Sequence, residues 1–306
     1  MSFKIGVDGG GSKTECILVN SEGTVVAVHV GAGCNPSIIG PEQARSIVAA
    51  ALNSLRAQAV AHTAGMTRAP FGPAPEIAST LLCMAGSRSF WGEFAERLAG
   101  FGRVVALDDS LPVLELATHG RPGLVLHSGT GSFVAAHAPD GSVHYAGGLG
   151  WRLGDPGSGY DIGHRAIART LLDLQGWSPA TRLSALVCEH TGLDTAADIT
   201  RFVYGDPPPN QKIADLAPEV LRLAADGDQP AQQIIFQSAA GLLDLAIRVA
   251  EKLFPANLMD TVRAGLSGPI LTHPIVVQAL MARSPLALAP VEGKPIEGVR
   301  RLLDKY

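Results

Sequence analysis

Two stretches of this chain share one pattern, and that pattern limits what it can fold into. Residues 3–7 form a short apolar run that reads as a strand, followed by Asp8-Gly9-Gly10-Gly11-Ser12-Lys13-Thr14. A second strand follows over 14–19, then the turn Asn20-Ser21-Glu22-Gly23, then a β-branched strand over 24–30. Residues 123–146 repeat the order. A strand over 123–127 leads into Ser128-Gly129-Thr130-Gly131-Ser132, a strand over 133–137, the turn Pro139-Asp140-Gly141-Ser142 and a strand over 143–146. Gly131 lies 120 residues after Gly11, and Gly141 lies 118 after Gly23. That spacing is too long for a solenoid repeat. It points to two similar domains, each opening with a β-hairpin whose glycine loop can hold phosphate. Two unrelated hairpins are the plainer alternative.

The first loop is not a Walker loop. Ser12 separates the glycines from Lys13, and the loop joins strand to strand, whereas a Walker loop joins strand to helix. Between and after the hairpins, helical spacing predicts helices over 42–61, 90–98, 162–174, 179–190, 213–225, 230–254 and 296–303, with a Pro- and Gly-rich loop over 66–77. A chain of 306 residues with this order is expected to be an α/β protein of about two domains.

Composition excludes several function classes. Hydrophobic residues make up 46% of the chain and the formal net charge is −4, so no nucleic-acid surface is expected. Cys16, Cys34, Cys83 and Cys188 are far apart and show no zinc-site spacing. The N-terminus has no basic region followed by an apolar run, so no signal peptide is expected. No apolar stretch is read as reaching the ~18–20 residues of a membrane span, and the expected setting is the reducing cytoplasm.

Chemistry concentrates in three places. Asp8 ends a buried strand before three glycines, whose backbone N–H groups can approach phosphate oxygens closely. Ser12, Lys13 and Thr14 add donors, and Asp8 could hold a hydrated Mg²⁺. A tight turn with a surface lysine is the alternative. Asp108 and Asp109 follow a strand over 103–107, where α/β sheets place their chemistry, and one of the two can accept a substrate proton. A helix N-cap is the alternative there. Residues 147–159 hold six glycines and one acid, Asp155, which suggests a backbone wrapped closely around a ligand. His127 reads as a near-core residue. Trp151 either stacks on a sugar or anchors its loop.

Taken in order, Asp8 to Thr14, Gly33-Cys34-Asn35-Pro36, Asp108-Asp109, Ser128 to Ser132 and 147–163 resemble the N-acetylglucosamine kinase family. That family belongs to the sugar kinase, actin and heat-shock chaperone superfamily and is related to the activator ATPases of benzoyl-CoA reductase. The resemblance implies a two-lobed, actin-like (ribonuclease H-like) duplicated fold with ATP and sugar in the cleft. The lobes would be 1–112 with 293–306, and 113–292 with a helical insertion. It implies phosphoryl transfer from ATP, with Mg²⁺, to the 6-hydroxyl of N-acetylglucosamine in a homodimeric enzyme. Asp109 would be the catalytic base, and Asp8 would stand near the metal. Gly10, Gly11, Ser12, Lys13, Thr14, Gly129, Thr130, Gly131 and Gly268 would bind the nucleotide. Asn35, Asp109, Thr130, Gly148, Leu149, Gly150 and Asp155 would bind the sugar. This chain departs from the family where Gly-Trp-Gly becomes Gly148-Leu149-Gly150, and where Gly-Asp-Glu-Gly becomes Gly154-Asp155-Pro156-Gly157. Those changes leave a glucosamine kinase as the near alternative and an activator ATPase as the distant one.

Overall fold

A computed structural model describes residues 1–66 and 75–306. The chain divides into two units, Met1–Leu116 with Glu292–Tyr306, and Ala117–Val291.

The first unit holds β1 (Ser2–Gly9), β2 (Lys13–Asn20), β3 (Val25–Ala32), β4 (Glu76–Met84) and β5 (Arg103–Asp108), in the order β3-β2-β1-β4-β5. β1, β2 and β3 form an antiparallel meander, while β4 runs parallel to β1 and β5 parallel to β4. The second unit holds β6 (Gly123–Ser128), β7 (Ser132–His137), β8 (Val143–Gly147), β9 (Arg263–Ser267) and β10 (Ala287–Pro290). Their order, β8-β7-β6-β9-β10, repeats the first sheet strand for strand, with the same parallel and antiparallel pairings. This is the duplicated α/β arrangement expected from the sequence.

Strand alternation gives the first sheet two apolar faces. Phe3, Ile5, Val7 and Leu18 pack with Val48, Leu52 and Leu55 of the helix Pro41–Met66 and with Trp91 of the helix Arg88–Glu96. Ile17, Val19, Leu81 and Leu107 pack with Ile296, Val299 and Leu302 of the helix Pro295–Leu302. The contact with that helix is close. A Cβ on Gly298 would lie 2.1 Å from the Pro112 carbonyl oxygen, so only glycine fits there. In the second unit a single core forms around the helices Gly159–Leu174, Ala217–Ala225 and Gln229–Leu253.

Several elements differ from the sequence expectation. The loop expected over 66–77 contains the start of β4 at Glu76 and Ile77, and its residues 67–74 lie outside the described ones. β4 reads Glu76-Ile77-Ala78-Ser79-Thr80-Leu81-Leu82-Cys83-Met84. Both of its faces are covered, Leu82 and Met84 packing in one core and Leu81 and Cys83 in the other, so its end is a continuous apolar run in place of alternation. The helix expected over 213–225 is two, Asn210–Ala214 and Ala217–Ala225. Pro218 disfavours helical backbone in the residue before it and suits the first turn of a new helix. The helix Ala196–Val203, capped by Thr195, was not foreseen. The helix Gln229–Leu253 is long and apolar enough to cross a membrane, with mean hydropathy 1.3 over its best window, which corrects the reading that no such stretch exists. Its buried residues, Ile234, Ile235, Leu242 and Leu243 among them, belong to the core of the second unit.

Candidate active site

Strand pairing brings the first unit's chemistry to one end of its sheet. Gly9 pairs with Met84, and Met84 with Asp108, so β1, β4 and β5 end side by side. The hairpin loop Gly10-Gly11-Ser12 is closed by the Gly10 N–H donating to the Lys13 carbonyl (2.9 Å). The segment after β3 buttresses this loop. The Cys34 N–H donates to the Gly10 carbonyl (3.0 Å), and a Cβ on Gly33 would lie 2.0 Å from the Gly11 carbonyl oxygen. Gly11, Ser12 and Lys13 are exposed, and the Lys13 ammonium rests on Glu15 at 2.7 Å. Thr14 is different: it is fully buried and its hydroxyl donates to the Ala32 carbonyl (2.8 Å). Strand alternation turns it away from its exposed neighbour.

Asn35 caps the short helix Pro36–Ile39, its Oδ1 accepting from the Ser37 N–H (3.0 Å). Gly86, two residues beyond β4, has φ of +100°, and a Cβ there would lie 3.1 Å from Asn35 Oδ1. Asn35 therefore joins the same sheet end, and its amide N–H groups are available as donors.

The two acids of this end are electrically unusual. Burial, and then the nearby Asp109, push the Asp8 carboxyl up to about 7, while Lys13 pulls it down. Burial, and then Asp108, push Asp109 up to about 6, while the backbone N–H groups of Asp109 and Ser110 hold it down. Asp109 stands between β5 and the helix Ser110–Thr118, at the N-cap position of that helix. Asp108 has Arg88 at 3.9 Å. A carboxylate that titrates near neutrality is suited to take a proton.

In the second unit, Ser128 pairs with Ser132 and the loop Gly129-Thr130-Gly131 lies between them, closed by the Gly129 N–H donating to the Gly131 carbonyl (2.9 Å). The Gly-rich segment is fastened to this loop. The Ser128 hydroxyl donates to the Gly157 carbonyl, Ser132 Oγ to the Pro156 carbonyl (2.7 Å), and the Gly159 N–H to the Gly129 carbonyl (2.8 Å). Asp155 is buried here. Its Oδ1 accepts from the Gly150 N–H (3.2 Å), and its Oδ2 would lie 2.9 Å from a Cβ on Gly131. Burial raises its carboxyl, opposed by the N–H groups of Gly150, Ser132 and Leu149. Gly148 and Gly150 both have left-handed backbone, with φ of +65° and +86°, and Leu149 between them is exposed.

Gly268 follows β9 with φ of +88°, and a Cβ there would lie 1.9 Å from the Ser128 carbonyl oxygen. The neighbouring Ser267 Oγ is 3.2 Å from His127 Nδ1, and the His127 ring stacks on Phe133. Burial lowers His127 to about 4, so it is a neutral tie between the loop and the Gly268 turn. Gly268→Ala is expected to destabilise the protein by roughly 2–4 kcal/mol through the left-handed backbone and the clash. A denaturant midpoint within error of the parent's would contradict this.

One feature of the second unit was signalled in the sequence only through the Gly-rich segment with Trp151 and Asp155. A cavity of about 350 Å³ is lined by Trp151, Arg152, Gly154, Asp155, Ser158, Tyr160, Asp161 and His164. Tyr160 and His164, four residues apart on the helix Gly159–Leu174, stack at 5.9 Å, and Trp151 meets Tyr160 at 5.3 Å. The site residues expected from the sequence thus gather in two groups: Asp8, Gly10 to Lys13, Asn35 and Asp109 in the first unit, and Gly129 to Gly131, Gly148 to Gly150, Asp155 and Gly268 in the second.

Comparison with known proteins bears on what these groups do. The model of the BadF/BadG/BcrA/BcrD ATPase family matches residues 5–257. N-acetyl-D-glucosamine kinase of Dictyostelium discoideum is 28% identical over 258 residues, covering 81% of this chain and 79% of that one. N-acetylmuramic acid/N-acetylglucosamine kinase of Clostridium acetobutylicum is 26% identical over 263 residues, covering 84% and 82%. The structure of a putative N-acetylglucosamine kinase from Chromobacterium violaceum superposes with a TM-score of 0.75 at 28% identity, covering 98% of each chain.

Proposed function

Since the chain belongs to the BadF/BadG/BcrA/BcrD ATPase family, we propose that it is a sugar kinase transferring the γ-phosphoryl group of ATP to the 6-hydroxyl of N-acetylglucosamine. The observation that carries the proposal is the pair of half-buried acids, Asp8 and Asp109, raised toward neutrality beside an open glycine loop. The kinase names of the relatives support the sugar.

Asp109 accepts the proton as the sugar oxygen bonds to phosphorus and the bond to ADP breaks. Its value near 6 leaves it mostly ionised at pH 7 and still basic enough to take a proton. Asn35 of the first unit, and Asp155, Thr130 and the Gly148–Gly150 backbone of the second, are the sugar contacts in this reading. The N–H groups of Gly10 and Gly129 close their own loops, which leaves those of Gly11 and Gly131 for phosphate oxygens, with Ser12 and Lys13 as further donors and Gly268 under the adenosine. Lys13 can leave Glu15 for phosphate at little cost, because exposed ion pairs contribute only about 0–1 kcal/mol. Thr14 serves from within the sheet, bracing β3 under the loop.

Mg²⁺ fits the residues present. Asp8 supplies a hard carboxylate oxygen, and the crowding of two acids there favours a cation. Among the described residues no group of three His, Cys, Asp or Glu side chains forms a metal cage, so the ion would keep water and phosphate as its other ligands. It would screen charge on the phosphates during transfer.

A glucosamine kinase is the nearest second reading, favoured by Pro156 where the family commonly has Glu. The activator-ATPase reading is disfavoured by Cys83, which is fully buried with its thiol pushed well above the ordinary value by burial, and so is poorly placed to ligate a cluster. An ATP-coupled screen over hexoses, amino sugars and N-acyl amino sugars tests the proposal. N-acetylglucosamine should give the highest kcat/KM among the unsubstituted sugars. Preference for the free amine would transfer the proposal to glucosamine, and ATP turnover independent of every sugar would contradict it.

A further inference from the structure

We propose that Asp161 is a positioning residue for phosphoryl transfer: from the first turn of the helix Gly159–Leu174 it fixes the segment that carries Asp155 and braces the loop Gly129–Gly131. The role rests on the kinase reading, which supplies the sugar contact at Asp155 and the phosphate contacts of the loop.

The loop is held by the residues that end the Gly-rich segment. Besides the bonds of Ser128 to Gly157 and of Ser132 to Pro156, the Gly159 N–H donates to the Gly129 carbonyl at 2.8 Å and the Tyr160 N–H to the Thr130 carbonyl at 3.4 Å. The loop is therefore only as fixed as residues 156–160 are. Those residues rest on one face of the helix Gln229–Leu253, where Gly241 and Leu242 follow Ser238 by three and four positions. A Cβ on Gly241 would lie 3.2 Å from Pro156 Cβ, and one on Gly157 would lie 3.0 Å from Leu242 Cβ.

Asp161 is a polar tie across that contact. Its Oδ2 accepts from the Gly157 N–H (3.2 Å) and from the hydroxyl of Ser238 (2.6 Å), which is fully buried on the facing helix. Its Oδ1 accepts from Nε of the exposed Arg165 at 2.7 Å. The peptide unit between Pro156 and Gly157 is thus gripped on both sides. Ser132, at the end of the loop, donates to its carbonyl, and its N–H donates to Asp161. A planar peptide held at both polar groups cannot rotate without breaking one bond. Asp155 directly precedes that unit, and Gly157, with φ of +82°, follows it. One carboxylate therefore sets the sugar contact and the phosphate loop in a single geometry, although it belongs to neither.

Asp161→Ala keeps the start of its helix, because the Ser158 hydroxyl accepts from the Asp161 backbone N–H. In the full chain with ATP and N-acetylglucosamine it should lower kcat roughly tenfold or more, as misplaced reacting groups do, with KM for either substrate changing by less than about threefold. Asp161→Asn should recover most of that loss, since an amide oxygen still accepts from Gly157 and Ser238 while the exposed Arg165 swings away. Arg165→Gln should leave kcat within about twofold, as loss of an exposed ion pair does. Ser238→Ala should lower kcat in the same direction and add little to Asp161→Ala in the double variant; it carries the same expectation if Asp161→Ala does not fold. Thr181→Ala, which loses a helix cap elsewhere in the second unit, is the control with a lowered thermal midpoint and an unchanged kcat. If the parent phosphorylates N-acetylglucosamine and Asp161→Ala keeps its kcat, the inference is overturned and the kinase reading stands. The same holds for a loss confined to the sugar KM, which would make Asp161 a sugar contact. It holds too for a loss that Arg165→Gln reproduces, or that Thr181→Ala matches at the same thermal midpoint. If the parent phosphorylates no sugar at all, both are overturned.

Discussion

Asp109→Asn should lower kcat for sugar phosphorylation by roughly 10²–10⁴-fold, the usual contribution of a general base. Asparagine keeps the size and the N-cap acceptor of Asp109, so the helix Ser110–Thr118 retains its start. It cannot take a proton. The loss should therefore fall on kcat, with the dissociation constant for the sugar changing by no more than about threefold. Stopped-flow binding and steady-state turnover on the same preparation separate the two. Turnover near the parent level would remove Asp109 from the chemistry. A loss confined to KM would make it a sugar ligand only.

The second large effect is on stability, and it runs opposite to activity. Asp8 and Asp109 hold protons more tightly in the folded chain, at about 7 and about 6, than the ordinary 3.8 of an unfolded aspartate. Groups of this kind stabilise the fold fully below the unfolded value, and that stability is lost as pH rises through the folded value. The nucleotide-free, chelator-treated protein should therefore lose stability between about pH 4.5 and pH 8. Tenfold in proton affinity is about 1.4 kcal/mol, and the half-exposed setting reduces the full shift, so the pair should account for on the order of 2–4 kcal/mol. The double variant Asp8→Asn/Asp109→Asn should flatten that slope and be more stable than the parent at pH 8, although inactive. A pH slope identical in parent and double variant would show that the two carboxyls are not strained by burial. A gain in stability on removing site acids is what a site built for function at the expense of the fold should give.

The parts of this account that were legible in the sequence are those with a local physical cause. Both hairpins could be read because β-branched runs flank turns such as Asn20 to Gly23, where Asn20 Oδ1 accepts from the Glu22 and Thr24 N–H groups. Asp109 could be singled out because a strand end before a helix is where α/β sheets expose side chains. β4 was hidden because a strand buried on both faces loses its alternation, and because it abuts the Pro- and Gly-rich stretch. The split before Ala217–Ala225 was legible at Pro218, which disfavours helical backbone in the residue before it and suits a first turn. Thr14 could have been placed inward by counting two along β2 from buried Cys16. Of the cavity, Trp151 and Asp155 were legible in the Gly-rich segment, whereas Arg152, Tyr160 and His164 were not, because they meet only once the first turn of the helix Gly159–Leu174 packs on the segment before it.

The most direct test of the central claim follows ADP and sugar phosphate together as the parent protein acts on ATP and N-acetylglucosamine. ³¹P–¹H correlation would locate the new phosphate. The account predicts one sugar phosphate per ADP, with phosphorus coupled to the C6 protons, and no ADP release above background without sugar. ADP formed without sugar phosphate, or phosphate on another hydroxyl, would contradict it.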